Sequence, residues 1–269
     1  MNPLTAGSTS ASSGVLSSLT TNQSRATDIQ TMLSTNKKIL DPAQQGVVTR
    51  LGSQVASFGA SHNNIAKAQN VLNVASTGLK SIANILTQMQ DLANKASDAT
   101  MTTTDSAKLA QTFASLLKQL DSTAANTKID GTGILKQSAS ALTIQTGLTT
   151  DDTTEIQGVA SDSSTLNIDA SIISSATDAQ AAVAALQLAL DSVSTNQSTV
   201  ASDQIALSTQ DNLISSISQN LQNTIDSIEK PDAAALQMEL QANNNQQSMN
   251  YYLINQMNQQ AQSVLTIFR

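Results

Sequence analysis

From Leu51 onward an apolar side chain returns at every seventh residue: Phe58, Ile65, Leu72, Leu79, Leu86 and Ala93. From Ile65 a companion follows three residues after each: Ala68, Ala75, Ile82, Met89 and Ala96. A period of 3.5 held this long specifies a narrow seam between packed helices. At 1.5 Å per residue, the span 47–97 predicts a rod of roughly 75 Å. A second seam runs from Val183 through Leu186, Leu190, Val193, Val200, Leu207, Ile214, Leu221 and Ile225 to Ile228, in alternating steps of three and four, with Gln197, Gln204, Asp211 and Ser218 on the same stripe. Two rods of matching length joined by connecting chain pack most simply side by side and antiparallel. A shorter pattern of Leu109, Phe113, Leu116, Leu117 and Leu120 predicts a third helix after the polar turn SDATMTTTD.

The prolines at Pro3, Pro42 and Pro231 punctuate this pattern. Proline breaks a helix interior and disfavours helix in the residue before it, so Asp41-Pro42 and Lys230-Pro231 read as breaks. They divide the chain into terminal helical arms, 1–40 and 232–269, short linkers at 41–46 and 229–231, and a rod domain over 47–228. The N-terminal arm carries a stripe of Leu16, Leu19, Ala26, Ile29 and Leu33. On the C-terminal arm the stripe is Leu236, Leu240, Ile254, Met257, Val264 and Phe268, with Leu265 beside it and the polar residues Asn243, Gln247 and Asn250 in its middle. Isolated amphipathic helices are marginal in water. Both arms are therefore expected to be disordered in the lone subunit and helical once something buries them.

Between 128 and 175 the period changes. Gly131, Gly133, Gly147 and Gly158 separate short alternating runs such as ALTIQTG and STLNIDASI, which read as one or two β-hairpins. The fold class expected is mainly α: long antiparallel coiled-coil-like rods with a small mid-chain β-hairpin region. Gly46, Gly52, Gly59 and Gly78 run against a helical first rod, each costing about 1 kcal/mol relative to alanine. Close helix approach is one reason a helix keeps them, and Gly52 and Gly59 are spaced for it.

Composition narrows the class further. Aromatics are 2% of the 269 residues, charged residues 12%, and there is no tryptophan. Such a chain fills narrow seams rather than a thick core. Net charge is −7 with lysines and arginines scattered, so no nucleic-acid partner is expected. No stretch approaches the roughly 20 apolar residues of a membrane span, and no membrane partner is expected. The N-terminus lacks the basic and apolar regions of a cleavable signal peptide; a cytoplasmic protein, or one exported by a system that reads no such signal, has this appearance.

Chemistry has little to work with. Cysteine is absent, and the one histidine, His62, lies on the first seam between Phe58 and Ile65 with no second histidine or carboxylate cluster in the sequence near it. It reads as a packed or rim side chain rather than a ligand or catalyst. Asp151, Asp152 and Glu155 lack the spacing of a calcium loop. Gly131-Thr132-Gly133 lacks the lysine and strand-to-helix setting of a phosphate loop, and reads as a hairpin turn. No enzyme, metal or cofactor is expected.

Several segments together resemble the bacterial flagellins. Leu33–Ile39 (LSTNKKI) with the turn that follows resembles the family's N-terminal motif, and Asn84–Ser97 (NILTQMQDLANKAS) resembles its first long helix. Asn126–Leu135 (NTKIDGTGIL) and LTIQTG resemble its entry into a β-hairpin, and Gln262–Arg269 (QSVLTIFR) its terminus. The resemblance covers the chain from about residue 15 on, and the short chain with its IFR ending looks most like alphaproteobacterial members. It implies a D0 domain of both arms lining a filament channel, and a D1 domain of rods and hairpin with little or no outer domain. It also implies a homopolymer, exported unfolded through the flagellar secretion apparatus into the extracellular filament. A flagellin chaperone and the cap and junction proteins are the further partners implied. Subunit-interface roles would fall on Leu16, Leu19, Ile29, Leu33, Leu236, Leu240, Ile254, Met257, Val264, Leu265 and Phe268, and linker roles on Pro42 and Pro231. Asn243, Gln247 and Asn250 would then either fix helix register or face the wet channel. The sequence departs from the family at Asn36 and at Asp41–Gln45, and Gln88 stands where many members carry an arginine detected by the Toll-like receptor for flagellin. A hook–filament junction protein shares such arms. A coiled-coil adhesin or export-system translocator would need no paired arms at opposite ends of the chain.

Overall fold

The computed structural model describes residues 3–137 and 141–267, with side chains from Ser13 on except at 261 and 264–267. In chain order the elements are α1 (Pro3–Thr35), α2 (Pro42–Ala96), α3 (Thr103–Asn126), β1 (Leu142–Gln145), β2 (Thr153–Ile156), α4 (Ala176–Glu229) and α5 (Ala233–Ile267). The chain forms two compact units: residues 53–220, and residues 1–52 with 221–269. The division falls inside α2 and α4, so each of these helices contributes to both units.

The unit of residues 53–220 holds most of the buried apolar side chains. On α2, every seam residue from Phe58 to Ala96 is buried, with Ile65, Leu72, Leu79, Ile82, Leu86, Met89 and Ala93 fully enclosed. On α4 within this unit Leu186, Val193, Val200, Leu207 and Ile214 of the second seam are buried. Ala182 and Ala189 are buried in place of the expected Val183 and Leu190, which are half-buried, and Ala179 extends the face toward the helix start. Three side-chain pairs along the rim set the direction of packing: His62 Nδ1 with Asp211 Oδ1, Gln204 Nε2 donating to Asn73 Oδ1, and Gln90 Nε2 donating to Gln187 Oε1. As the α2 number rises the α4 number falls, so the two helices are antiparallel.

A hydroxyl and a carboxylate start α3. Thr102 Oγ1 accepts from the Asp105 amide and donates to the Asp105 carboxylate, satisfying an amide that the first turn leaves unpaired. The helix buries Phe113, Leu120 and Ala124, and Asp121 near its end accepts hydrogen bonds from the amide and hydroxyl of Ser163. After α3 the chain reverses at Ile129–Thr132, where each of the outer two residues donates its amide to the other's carbonyl. Asp130 and Gly131 between them have φ of 50° and 80°. Positive φ at both central residues is the signature of a type I′ turn, and Asp-Gly supplies it at low steric cost.

β1 and β2 pair antiparallel, with Leu142 opposite Ile156 and Gln145 opposite Thr153. Ile144 and Ile156 are buried, so ALTIQTG is the strand its alternation predicts. STLNIDASI is not. Residues 163–167 turn in helical fashion, with the Leu166 amide donating to Asp162 O and the Ile168 amide to Ser163 O. Asn167 takes a positive φ of 55°, which asparagine tolerates better than most residues. Leu166 and Ile168 both become buried, so the apolar alternation is real but a tight turn produces it. Of the one or two hairpins expected in 128–175, the described residues form one, and this stretch is loop. Asn196 of α4 anchors that loop, donating to Ala160 O and Ser161 Oγ.

Among the α2 glycines only Gly78 has close neighbours. A Cβ there would lie 2.5 Å from Thr127 Cγ2 and 2.7 Å from Leu135 Cδ1, whereas at Gly46, Gly52 and Gly59 it would meet nothing within 4 Å. Close approach thus explains Gly78, not the Gly52–Gly59 spacing.

Candidate functional site

The second unit joins the two ends of the chain. α1 and α5 pack against each other, and their cross-helix bonds give the direction. Arg25 pairs with Glu239, Asn243 Nδ2 donates to Asn22 O at 2.8 Å, Asn250 Nδ2 donates to Ser18 Oγ at 3.2 Å, and Gln23 Nε2 donates to the Tyr251 hydroxyl. The helices are antiparallel.

The α1 seam is Val15, Leu19, Asn22, Ala26, Ile29 and Leu33; Ile29 is 1% exposed and the others are half-buried. Facing it, α5 presents Leu236, Leu240, Asn243, Gln247, Asn250, Ile254 and Met257, of which Asn243 is 4% exposed and the rest half-buried. The expected arm residues Leu19, Ile29, Leu33, Leu236, Leu240, Ile254 and Met257 are therefore brought together. Leu16 is not: it is 57% exposed, one residue round from the seam that Val15 and Leu19 occupy. The side chains of Val264 and Leu265, and all of Phe268, lie outside the described residues.

What the seam leaves uncovered is as informative as what it covers. Among the described side chains of this unit only three, Ile29, Ile225 and Asn243, are buried. Met238, Met249, Tyr251, Tyr252 and Leu253 are exposed along α5, and Ile39 is exposed in the connector. Apolar surface of this kind, along helices that bury so little, marks a surface made for protein contact.

The breaks sit differently from the sequence expectation. α1 ends where Asn36 takes a left-handed φ of 54°, a usual way to close a helix C-terminus. The non-helical connector is 36–41, and the linker expected at 41–46 is already helix from Pro42. Proline suits the first helical position, where its missing N–H would be unpaired in any case. Asp41 caps that start: its carboxylate accepts from the Gln44 amide at 2.8 Å, and Gln44 Oε1 accepts from the Asp41 amide. Pro231 does fall in a break, between α4 and α5, followed by Asp232, whose carboxylate accepts from the amides of Ala234 and Ala235. The two connectors are tied together. The Lys38 amide donates to Glu229 O at 2.7 Å, Lys37 pairs with the Glu229 carboxylate at 2.8 Å, and Lys230 pairs with Asp226. The bond from Lys230, with help from Gln222, holds the Asp226 carboxyl below the usual carboxylate range. None of these ties is legible from the stripe pattern, which records apolar spacing alone.

Among the described residues no group of three His, Cys, Asp or Glu is placed to hold a metal, and no helix is long and apolar enough to cross a membrane. His62 is a rim side chain bonded to Asp211 and half exposed.

Comparison with known proteins agrees with this architecture. Residues 8–140 match the model of the bacterial flagellin N-terminal helical region. Flagellin FljK of Caulobacter vibrioides is 24% identical over 261 residues, 94% of each chain. The flagellin of Halalkalibacterium halodurans is 24% identical over 231 residues, 85% of each chain. Among solved structures, Bacillus cereus flagellin aligns with a TM-score of 0.52 at 24% identity, over 56% of this chain and 88% of its own. A protein assigned as flagellar hook-associated, from Vibrio parahaemolyticus, aligns with a TM-score of 0.59 at 13% identity, over 70% and 98%. The structural likenesses speak for the fold alone, while the family model and these relatives found by sequence are flagellins. With its terminal helices paired and its long seams buried as described, and with these matches in sequence, the chain belongs to the bacterial flagellins.

Proposed function

We propose that α1 and α5 form the inner tube of a flagellar filament, each pair being completed by its neighbours. The protein is a structural, self-polymerising subunit of the extracellular filament that drives swimming. One observation carries the inner-tube reading: the unit made of both chain ends buries three described side chains while its helices carry largely apolar stripes, interrupted only by Asn22 on α1 and by Asn243, Gln247 and Asn250 on α5. Burying a leucine or methionine side chain contributes roughly 1.5–3 kcal/mol, and stacking copies supplies burial that one copy lacks. The interface residues are then Leu19, Ile29, Leu33, Leu236, Leu240, Ile254 and Met257 within the pair. Leu16, exposed in the lone subunit, would lie on a contact between copies, and Val264, Leu265 and Phe268, outside the described side chains, are proposed as interface residues on the heptad spacing alone. Export through the flagellar secretion apparatus, escort by a flagellin chaperone, and contact with cap and junction proteins complete the reading.

The test is elongation from filament seeds. Leu240→Ala and Ile254→Ala are expected to raise the critical concentration by about tenfold or more, the equivalent of about 1.4 kcal/mol, with residues 53–220 still folded by circular dichroism. Wild-type critical concentrations in both variants would refute the inner-tube role of this seam.

A further inference from the structure

We infer that Asn243 is the register-setting residue of the α1/α5 pair. An apolar stripe with heptad spacing is nearly self-similar under a seven-residue slip, because Leu, Ile and Met replace one another at similar volume. Something other than the stripe must choose the register. On α1 the seam has one polar member, Asn22, between Leu19 and Ala26. On α5 it has three, Asn243, Gln247 and Asn250. In the observed register Asn243 is buried and its Nδ2 donates to Asn22 O, while Leu236 stands at the level of Ile29.

Slipping α5 by one heptad in one direction would bring Asn250 to Asn22, an acceptable polar match. The same slip would set Asn243 against Ile29, burying its amide beside a fully enclosed apolar side chain. The opposite slip sets Asn243 against Val15. The acceptor is a main-chain oxygen, so discrimination comes from the side chain beside it. Ile29 and Val15 are branched at Cβ and fill their layers with apolar groups, against which a buried amide is disfavoured, whereas Asn22 gives Asn243 a polar layer. Its Oδ1 has no partner among the described residues of the single subunit. A lone buried asparagine fixes register in coiled coils by the same physics. The bonds at Arg25–Glu239 and Ser18–Asn250 agree with this register but are exposed, and exposed pairs discriminate weakly. The consequence, which rests on the filament reading, is that Asn243 fixes where α5 displays Met238, Met249 and Tyr252 relative to α1. A one-heptad slip would displace that face by roughly 10 Å.

The chain has no cysteine, so register can be read by engineered disulfides in the full-length protein, oxidised within seeded filaments. Ser18→Cys with Asn250→Cys reports the observed register, and Ser18→Cys with Met257→Cys the slipped one; intrachain closure is distinguished from interchain by gel mobility. With Asn243 present only the first pair should close. In Asn243→Leu the second pair should close as well, since the introduced leucine would then pack on Ile29 while Asn250 takes the Asn22 layer. Asn243→Ser, too short to reach the Asn22 carbonyl, repeats the test should the leucine variant assemble poorly. A slipped pair that stays open in both variants while the first closes would overturn the inference. So would closure of the slipped pair with Asn243 intact. Filament formation is scored separately by electron microscopy, so failure to elongate counts against the inner-tube reading rather than against the register.

Discussion

At Gly78 a methyl group has nowhere to go, and at Gly59 it has nothing to touch. The same substitution should therefore act with opposite sign at two positions of one helix. Gly59→Ala removes the propensity deficit of glycine and is expected to stabilise the subunit by about 1 kcal/mol. Gly78→Ala must push aside Thr127 and Leu135, and overpacking of this kind costs roughly 1–3 kcal/mol. Thermal melting of the two variants checks both signs. Two carboxylates also act oppositely. Burial raises Asp203, and its Oδ2 has no partner among the described residues. Its folded value lies above its unfolded value of about 3.9, so its contribution is fully present below that value and is lost as pH rises through the folded one. Asp203→Asn is accordingly expected to raise the melting temperature at neutral pH and to lose that advantage toward about pH 3. Burial also acts to raise Asp162, but bonds from Thr165 and from the Gln137 amide outweigh it and leave it lowered. Its contribution is present above the unfolded value and lost as pH falls through the folded one. Asp162→Ala should thus weaken the protein at neutral pH and flatten the acid limb of its melting profile.

Among elements, the breaks differ most from one another. Because Asp41 and Gln44 start α2 by reciprocal capping, Pro42→Ala should change stability by only a few tenths of a kcal/mol, whereas Asp41→Ala should cost about 1 kcal/mol. Pro231 lacks the amide that would continue α4 and falls in the break between α4 and α5. Pro231→Ala is therefore the substitution expected to alter filament shape and swimming, and unchanged motility in that variant would show it to be plain punctuation. This difference between two prolines is invisible in the spacing, which marks both as breaks. The long seams are visible, because a 3.5 period from Phe58 to Ala96 has no other simple explanation and each of its layers is buried. The Asp-Gly turn is visible as well, because few residues tolerate two successive positive φ values. The loop around Leu166 mimics a strand in sequence because a turn stabilised by Asp162 and Asn167 can bury alternate residues as a strand does. Of the candidate site, the apolar stripes are legible. The tie between Lys38 and Glu229 is not, because a backbone carbonyl carries no sequence signature.

Taken whole, the molecule divides its burial unevenly: residues 53–220 hold nearly all of the enclosed side chains, and the unit of both ends holds three of those described. Stability should follow the same division. In the monomer, limited proteolysis is expected to trim both arms and leave a resistant fragment close to 53–220, while in the filament the arms should be protected. Arms that resist protease in verified monomer would contradict folding on assembly. Within the resistant fragment, Leu72→Ala or Leu79→Ala should cost about 2–5 kcal/mol, measured by denaturant unfolding.

The pairing of α1 with α5 also has a meaning in time. Its hydrogen bonds join residues 214 to 232 positions apart. On a ribosome adding about 5–20 residues per second, that separation lasts on the order of 10–50 seconds. Throughout that interval α1 exists without its partner, while every residue of 53–220 is made before α5 begins to appear. The better-buried unit can thus be complete before the weaker one has both its strips of chain. A message cut short after residue 220 would lack α5 altogether, so the last segment to be synthesised decides whether the first one can ever find its partner.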